Sequence, residues 1–173
     1  MNDAINSKTG KYDRIPVLDM GPYLAGEPGA RENLAIELRH VQENIGFYVV
    51  KNNGVDFSCL GKTYAALKKF FALPIEEKLK FSIDDTSLGY VPIRSTVYVT
   101  SIVNENTKKD LNETLTLARE RPSEHPAVKE RRRFHGPNRW PEIEGFRDAV
   151  VAFQETISAL GQNLLPLYAL ALD

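Results

Sequence analysis

Gly46-Phe47-Tyr48-Val49-Val50-Lys51-Asn52-Asn53-Gly54 is the stretch on which the fold turns. Four consecutive aromatic or β-branched residues follow one glycine and lead to another. A short apolar run bounded by turn residues predicts a strand buried on both faces. Lys51-Asn52-Asn53-Gly54 then supplies residues that tolerate positive φ and turn the chain. A helix-period segment ends at Gly46 and a second begins after Gly54. The strand is therefore a seam between two helices, as in an α/β or α+β domain.

Working outward toward the N-terminus, Leu34, Leu38, Val41 and Ile45 are spaced 4, 3, 4, one face of a helix beginning near Ala30. Gly46 suits the C′ position of that helix. Gly21-Pro22 and Gly26-Glu27-Pro28-Gly29 read as loop punctuation. Ile15-Pro16-Val17-Leu18-Asp19 predicts a short strand, and Pro16 restricts it to an edge or to one-sided pairing. Residues 1–13 read as a flexible leader, ahead of a domain spanning 14–173.

Toward the C-terminus, Phe57, Leu60, Tyr64, Leu67 and Phe71 are spaced 3, 4, 3, 4 and predict a second helix, with Phe71 closing its stripe. Asp56 or Ser58 can cap it. Pro74 opens a third, short helical piece, where its missing N–H costs nothing, and Glu76 and Glu77 sit near its positive start. Gly89-Tyr90-Val91-Pro92 and Val97-Tyr98-Val99 read as extended. Leu111, Leu115 and Leu117 alternate with Asn112, Thr114 and Thr116, which predicts a half-buried strand. Residues 119–145 are polar and proline-rich, a long loop of the kind that has a task or lies over the molecule.

From Phe146 the positions Val150, Phe153, Ile157, Leu160, Leu164, Leu167 and Ala171 keep a 4, 3 spacing to the end, a long helix over 146–172 of roughly 40 Å. Pro166 is expected to kink or break it. The long stripe predicts that residues 1–173 alone expose Ile157, Leu160, Leu164 and Leu167, and that they self-associate or stay partly unfolded.

The 173 residues are 42% hydrophobic and 26% charged, with a formal net charge of −1. That is a globular composition with no electrostatic call for nucleic acid or an anionic membrane. No apolar run reaches the length of about 20 residues of a membrane span. The single cysteine, Cys59, excludes an internal disulfide and fits a reducing cytoplasm. There is no internal repeat, glycine-rich phosphate loop, Cys-x-x-Cys pair or Ser/His/Asp arrangement. The basic run Lys129–Arg133 lacks interleaved aromatics and reads as a solvated loop.

Five pieces in this order resemble the N-terminal region of the isopenicillin N synthase-like iron(II)/2-oxoglutarate-dependent dioxygenases. They are Ile15–Asp19, Gly46–Val50 with Asn52-Asn53-Gly54-Val55, Phe70–Pro74 with Glu76-Glu77-Lys78, Gly89-Tyr90, and Gly136-Pro137-Asn138-Arg139-Trp140-Pro141. Asn53 departs from the resembled pattern, where histidine is common, and so does Pro166. The resemblance implies an α+β fold, a helical region with a few strands that supports a jelly roll, the jelly roll itself lying mostly outside this chain. It implies an oxidoreductase using iron(II) and 2-oxoglutarate to hydroxylate, desaturate or ring-close a small organic substrate. The partners implied are that substrate and the chain's own C-terminal jelly-roll domain, with neither nucleic acid nor membrane.

The resembled family holds its iron with His-x-Asp and a later histidine. Here His40, His125 and His135 are followed by Val-Gln, Pro-Ala and Gly-Pro. A facial triad needs two imidazoles and a carboxylate on one side of the metal. The expectation is therefore no metal ligand, no catalytic residue and no activity in residues 1–173 alone, whether as a fragment or a truncated product. The resemblance places Gly89-Tyr90 near the active-site mouth, so Tyr90 and Arg94 are the candidate substrate-binding residues. Arg94 can meet a carboxylate bidentately. Asn138 and Trp140 are expected to anchor the long loop. The alternative is a stand-alone, non-catalytic binding domain using the exposed helix face and unpaired strands.

Overall fold

The computed structural model describes residues 14–97 and 108–173. The leader over 1–13 and most of the extended piece expected at 97–99 lie outside them. The chain forms two compact units, Met1–Phe57 with Glu155–Asp173, and Ser58–Gln154.

In the first unit, β1 (Val17–Asp19) pairs in parallel with β2 (Val49–Lys51), Val17 opposite Val49 and Asp19 opposite Lys51. Between them run α1 (Gly21–Leu24) and α2 (Ala30–Asn44). Gly21-Pro22, expected as loop, opens α1, because Pro22 fits the first turn and Asp19 Oδ1 accepts the Gly21 N–H at 2.9 Å. Asn52 donates to the same oxygen at 3.0 Å. These bonds, the Gly21 one foremost, hold the Asp19 carboxyl below its ordinary range.

The predicted face of α2 holds: Leu34, Leu38 and Val41 are buried with Ala35. Gly46, at φ +89, ends the helix with its N–H on the Val41 carbonyl at 3.1 Å. Asn52 and Gly54 take the positive φ values the turn was expected to need.

The core of this unit joins Leu18, Met20, Leu34, Leu38 and Val41 to Leu167 and Ala171 of α6 (Phe146–Leu172). Two expectations are corrected here. The seam strand is buried on one face only. Tyr48 and Val50 pack on the core, whereas Phe47 and Val49 are exposed, because the helices lie against one side of the two-stranded sheet. The α6 stripe is largely closed within the unit, with Leu167 buried and Leu160 and Leu164 packed beside it, so Ile157 alone of the four expected residues is exposed. The helix also runs on through Pro166. The carbonyl that loses its donor there belongs to Gln162, an exposed residue that water can reach.

In the second unit, α3 (Cys59–Phe71), α4 (Ile75–Leu79) and the start of α6 surround a core of Ala66, Phe70, Tyr90, Phe146 and Val150. The stripe expected on α3 is off by one residue. Thr63, Ala66 and Phe70 are buried, while Leu60 and Tyr64 are exposed and Phe71 is half-buried. Thr63 reaches this face because its hydroxyl has an acceptor there, the Ala149 carbonyl at 2.8 Å. Phe70 meets the rings of Phe71, Phe81, Tyr90 and Phe146 at centroid distances of 5.3 to 6.0 Å.

The half-buried strand appears as β4 (Thr114–Thr116), with Leu115 and Leu117 on the core and Leu111 exposed. The long loop holds one short helix, α5 (Pro126–Lys129), capped by His125 Nδ1 accepting the Ala127 N–H at 3.2 Å.

Candidate functional site

β3 (Gly89–Val91) pairs antiparallel with β4, Gly89 opposite Thr116 and Tyr90 opposite Leu115. On its other side, the Tyr90 N–H donates to the Phe81 carbonyl at 2.6 Å and the Tyr90 carbonyl accepts from Ile83 at 2.9 Å. Gly89 is obligatory at the entry. Its φ is +125, and a Cβ there would lie 2.5 Å from the Phe81 carbonyl oxygen.

These two strand contacts place Tyr90 at the centre of a polar cluster. Its hydroxyl donates to Glu113 Oε2 in a short bond. Lys78 Nζ donates to the same oxygen at 2.7 Å and to the Phe71 carbonyl at 3.1 Å, and lies 5.4 Å from the Tyr90 ring centroid. Tyr90 is 0% exposed, and the side chains of Lys78 and Glu113 are 9% and 31% exposed.

The bonds from Lys78, then from Tyr90, hold the Glu113 carboxyl below its usual range. The Glu113 bond raises Lys78. Burial, then the bond to Glu113, raises the Tyr90 phenol. Every shift moves its group away from neutral pH, so near pH 7 the cluster is anion, cation and neutral phenol. Proton transfer is most efficient from a group whose pKa lies near the working pH. These three side chains are built as a clamp joining α4, β3 and β4.

Past β3 the two chains keep their ladder. The Arg94 N–H donates to the Asp110 carbonyl and the Asp110 N–H to the Thr96 carbonyl, both at 2.9 Å. Arg94 is exposed, at φ +61, a conformation that costs a non-glycine residue energy. The two substrate-binding candidates thus share one ribbon in very different settings. Tyr90 is sealed, with ring and hydroxyl both occupied, and presents no surface to a small molecule. Arg94 presents a guanidinium to solvent.

The Gly136–Pro141 segment fastens the long loop, as expected for Asn138 and Trp140. Asn138 accepts the Ala118 N–H at 2.9 Å and donates to the Ala118 carbonyl at 2.7 Å. Trp140 Nε1 donates to Glu120 Oε1 at 2.7 Å, and Arg147 takes the other oxygen at 2.5 Å. Arg139 donates to the Phe81 and Ser82 carbonyls, on the strand edge beside Tyr90. Gly136 lies against Thr86, whose Oγ1 is 2.6 Å from where a Cβ would stand.

Among the described residues no three His, Cys, Asp or Glu side chains converge as a metal would require. The arrangement of the described residues does not fit a catalytic iron. Lys78 and Glu113 were not singled out from the sequence. Their signal was there: Glu113 falls on the same face of the strand as Leu111, Leu115 and Leu117, and a charge on an apolar face needs a partner.

Comparison with known proteins joins this geometry to a family. Residues 15–143 match the family described as the non-haem dioxygenase in morphine synthesis N-terminal. The chain belongs to that family. Among its relatives, a 2-oxoglutarate-Fe(II) type oxidoreductase of Emericella nidulans is 27% identical over 164 residues, covering 91% of this chain and 46% of the relative. Kihadalactone A synthase of Citrus sinensis is 28% identical over 162 residues, covering 92% and 46%. The chain thus spans about half the length of these curated relatives. Its fold is similar to that of a full-length Neurospora crassa protein solved in complex with alpha-KG, at a TM-score of 0.71 and 20% identity over 94% of this chain and 49% of that one. A 2OG-Fe(II) oxygenase family protein of Caulobacter crescentus gives 0.72 and 24% over 91% and 48%. No helix among the described residues is long and apolar enough to cross a membrane.

Proposed function

We propose that this chain is the N-terminal part of an oxidoreductase that uses iron(II), 2-oxoglutarate and oxygen to hydroxylate, desaturate or ring-close a small organic substrate in the cytoplasm. The observation that carries the reading is the match of residues 15–143 to the family, beside a relative named for 2-oxoglutarate and Fe(II). Iron and cosubstrate belong, on this reading, to a jelly roll in the half of the relatives that this chain does not match, and residues 1–173 alone are inactive.

Arg94 is the group this region offers to substrate. It is exposed, it is held in a costly backbone conformation by the ribbon, and a guanidinium binds carboxylate or phosphate through two parallel bonds. Tyr90 acts through position. With Glu113 and Lys78 it fixes the ribbon that carries Arg94.

The test uses the full reading frame. Iron(II)-dependent decarboxylation of 2-oxoglutarate, stimulated by a carboxylate-bearing substrate, is expected. Arg94→Ala should raise KM for that substrate, with Arg94→Lys intermediate and KM for 2-oxoglutarate unchanged. No turnover of 2-oxoglutarate by the full-length protein would reject the enzyme reading. Equal effects on both KM values would reject the role of Arg94.

A further inference from the structure

We infer that the outer face of α3 docks an amphipathic helix of a separate protein, one that carries carboxylates along one edge of its apolar stripe. At about 100° per residue, the face turned away from Thr63, Ala66 and Phe70 has two unlike edges. Leu60 and Tyr64, 47% and 61% exposed, form one. The stripe that the spacing predicts runs along this edge through Leu67 and Phe71, with none of them fully buried. Lys62 and Lys69, both exposed, form the other edge, and Gly61 and Ala65 lie exposed between the two. Lys68 stands 4.7 Å from the Tyr64 ring centroid.

Each part of this face lacks a use inside the unit. A glycine within a helix costs stability that alanine would not, yet a Cβ at Gly61 would meet nothing within 4 Å. Helix α3 contains no aspartate or glutamate, and none of the ion pairs among the described residues involves Lys62, Lys68 or Lys69. A small midline admits a second backbone close to the first. The apolar edge then takes the partner's apolar stripe, and the cationic edge takes its carboxylates. From Leu60 to Lys69 the face runs roughly 14 Å, the length of a few helical turns. That suits a helix rather than a globular interface of about 800 Å² a side.

The two edges also decide against other occupants. Two copies related by a two-fold axis set lysine against lysine where their α3 helices run antiparallel, and lysine against the apolar edge where they run parallel. A helix lying in an anionic lipid surface presents one apolar face with cations around it. Here Lys62 and Lys69 hold the far edge alone, and exposed Glu76 and Glu77 follow on α4.

Fluorescence anisotropy on the full-length protein tests this, with two labelled helical peptides of about five turns. Both carry the same leucine stripe. One is flanked by glutamates and the other by lysines. The glutamate peptide is expected to bind about tenfold tighter or better. Lys62→Glu/Lys69→Glu should reverse that preference, a gain of binding that a misfolded variant does not produce. Tyr64→Ser should weaken the glutamate peptide about tenfold. Equal binding of both peptides, or a preference that the double variant leaves unchanged, overturns the inference. No binding of either peptide to a full-length protein that turns over 2-oxoglutarate overturns it and leaves the enzyme reading standing. Sedimentation with phosphatidylserine vesicles that is lost in the double variant makes a lipid surface the occupant, and also overturns it.

Discussion

Glu113 Oε2 accepts two hydrogen bonds from different elements, Tyr90 of β3 and Lys78 of α4. Removing the acceptor leaves an ammonium and a phenol without their partner in a largely enclosed site. Stripping one partner from a fully buried ion pair costs about 3–5 kcal/mol. Glu113 is partly exposed, so Glu113→Ala should cost less, about 2–3 kcal/mol, read as a fall in the denaturation midpoint. Glu113→Gln keeps the acceptor and loses the charge. Because the folded carboxyl is held below its ordinary value of 4.5, its contribution is present above that value and fades as pH falls through the folded one. The stability gap between wild type and Glu113→Gln should therefore be constant from pH 7 to about 5 and shrink below it. A gap that widens on acidification would show that the charge is not what the site uses.

At the scale of elements, α3 shows how far periodicity carries. The residues 57, 60, 64, 67, 71 and the residues 63, 66, 70 are both helical stripes, turned from one another by one position, about 100°. Hydrophobicity favoured the first set, since it reads Phe, Leu, Tyr, Leu, Phe. The structure buries the second, because a threonine with a carbonyl to meet and an alanine allow close approach, while Tyr64 lies outside with Lys68 4.7 Å from its ring centroid. Phe70→Ala should then cost about 3–5 kcal/mol. Phe71→Ala should cost clearly less, and Lys69→Ala should stay within about 0.5 kcal/mol. A larger loss at 71 than at 70 in urea denaturation would return the stripe to its expected place. The α2 face was legible because its hydrophobic and buried stripes coincide. The β2 strand was legible in position and not in burial, since an apolar run does not say how many layers cover it. Gly136 was legible only as a motif residue. Its reason is Thr86, 50 positions away in the chain, so Gly136→Ala should cost about 1–3 kcal/mol by overpacking, measurable as a lowered melting temperature.

At the scale of the whole molecule, the order of the five motifs foretold the family, because each motif has a local job that the structure makes visible. Pro74 starts a helix, Gly89 admits the Phe81 carbonyl, and Asn138 and Trp140 pin the loop. Arg94 beside Tyr90 was legible as a place and not as a contrast, since exposure depends on partners far off in sequence. The three histidines are local in the same sense. His40 lies on α2 with Nδ1 3.4 Å from the Asn44 amide nitrogen, His125 caps α5, and His135 Nδ1 sits 2.8 Å from the Arg133 carbonyl. Each has a partner close in the chain, and among the described residues none joins two further His, Cys, Asp or Glu side chains as a metal would need. Anaerobic calorimetric titration of residues 1–173 with iron(II) should therefore give only weak heats with no stoichiometric break, unchanged by His125→Ala or His135→Ala. A sharp one-to-one transition abolished by either substitution would mean that the loops carrying these histidines rearrange to bring carboxylates and imidazoles together.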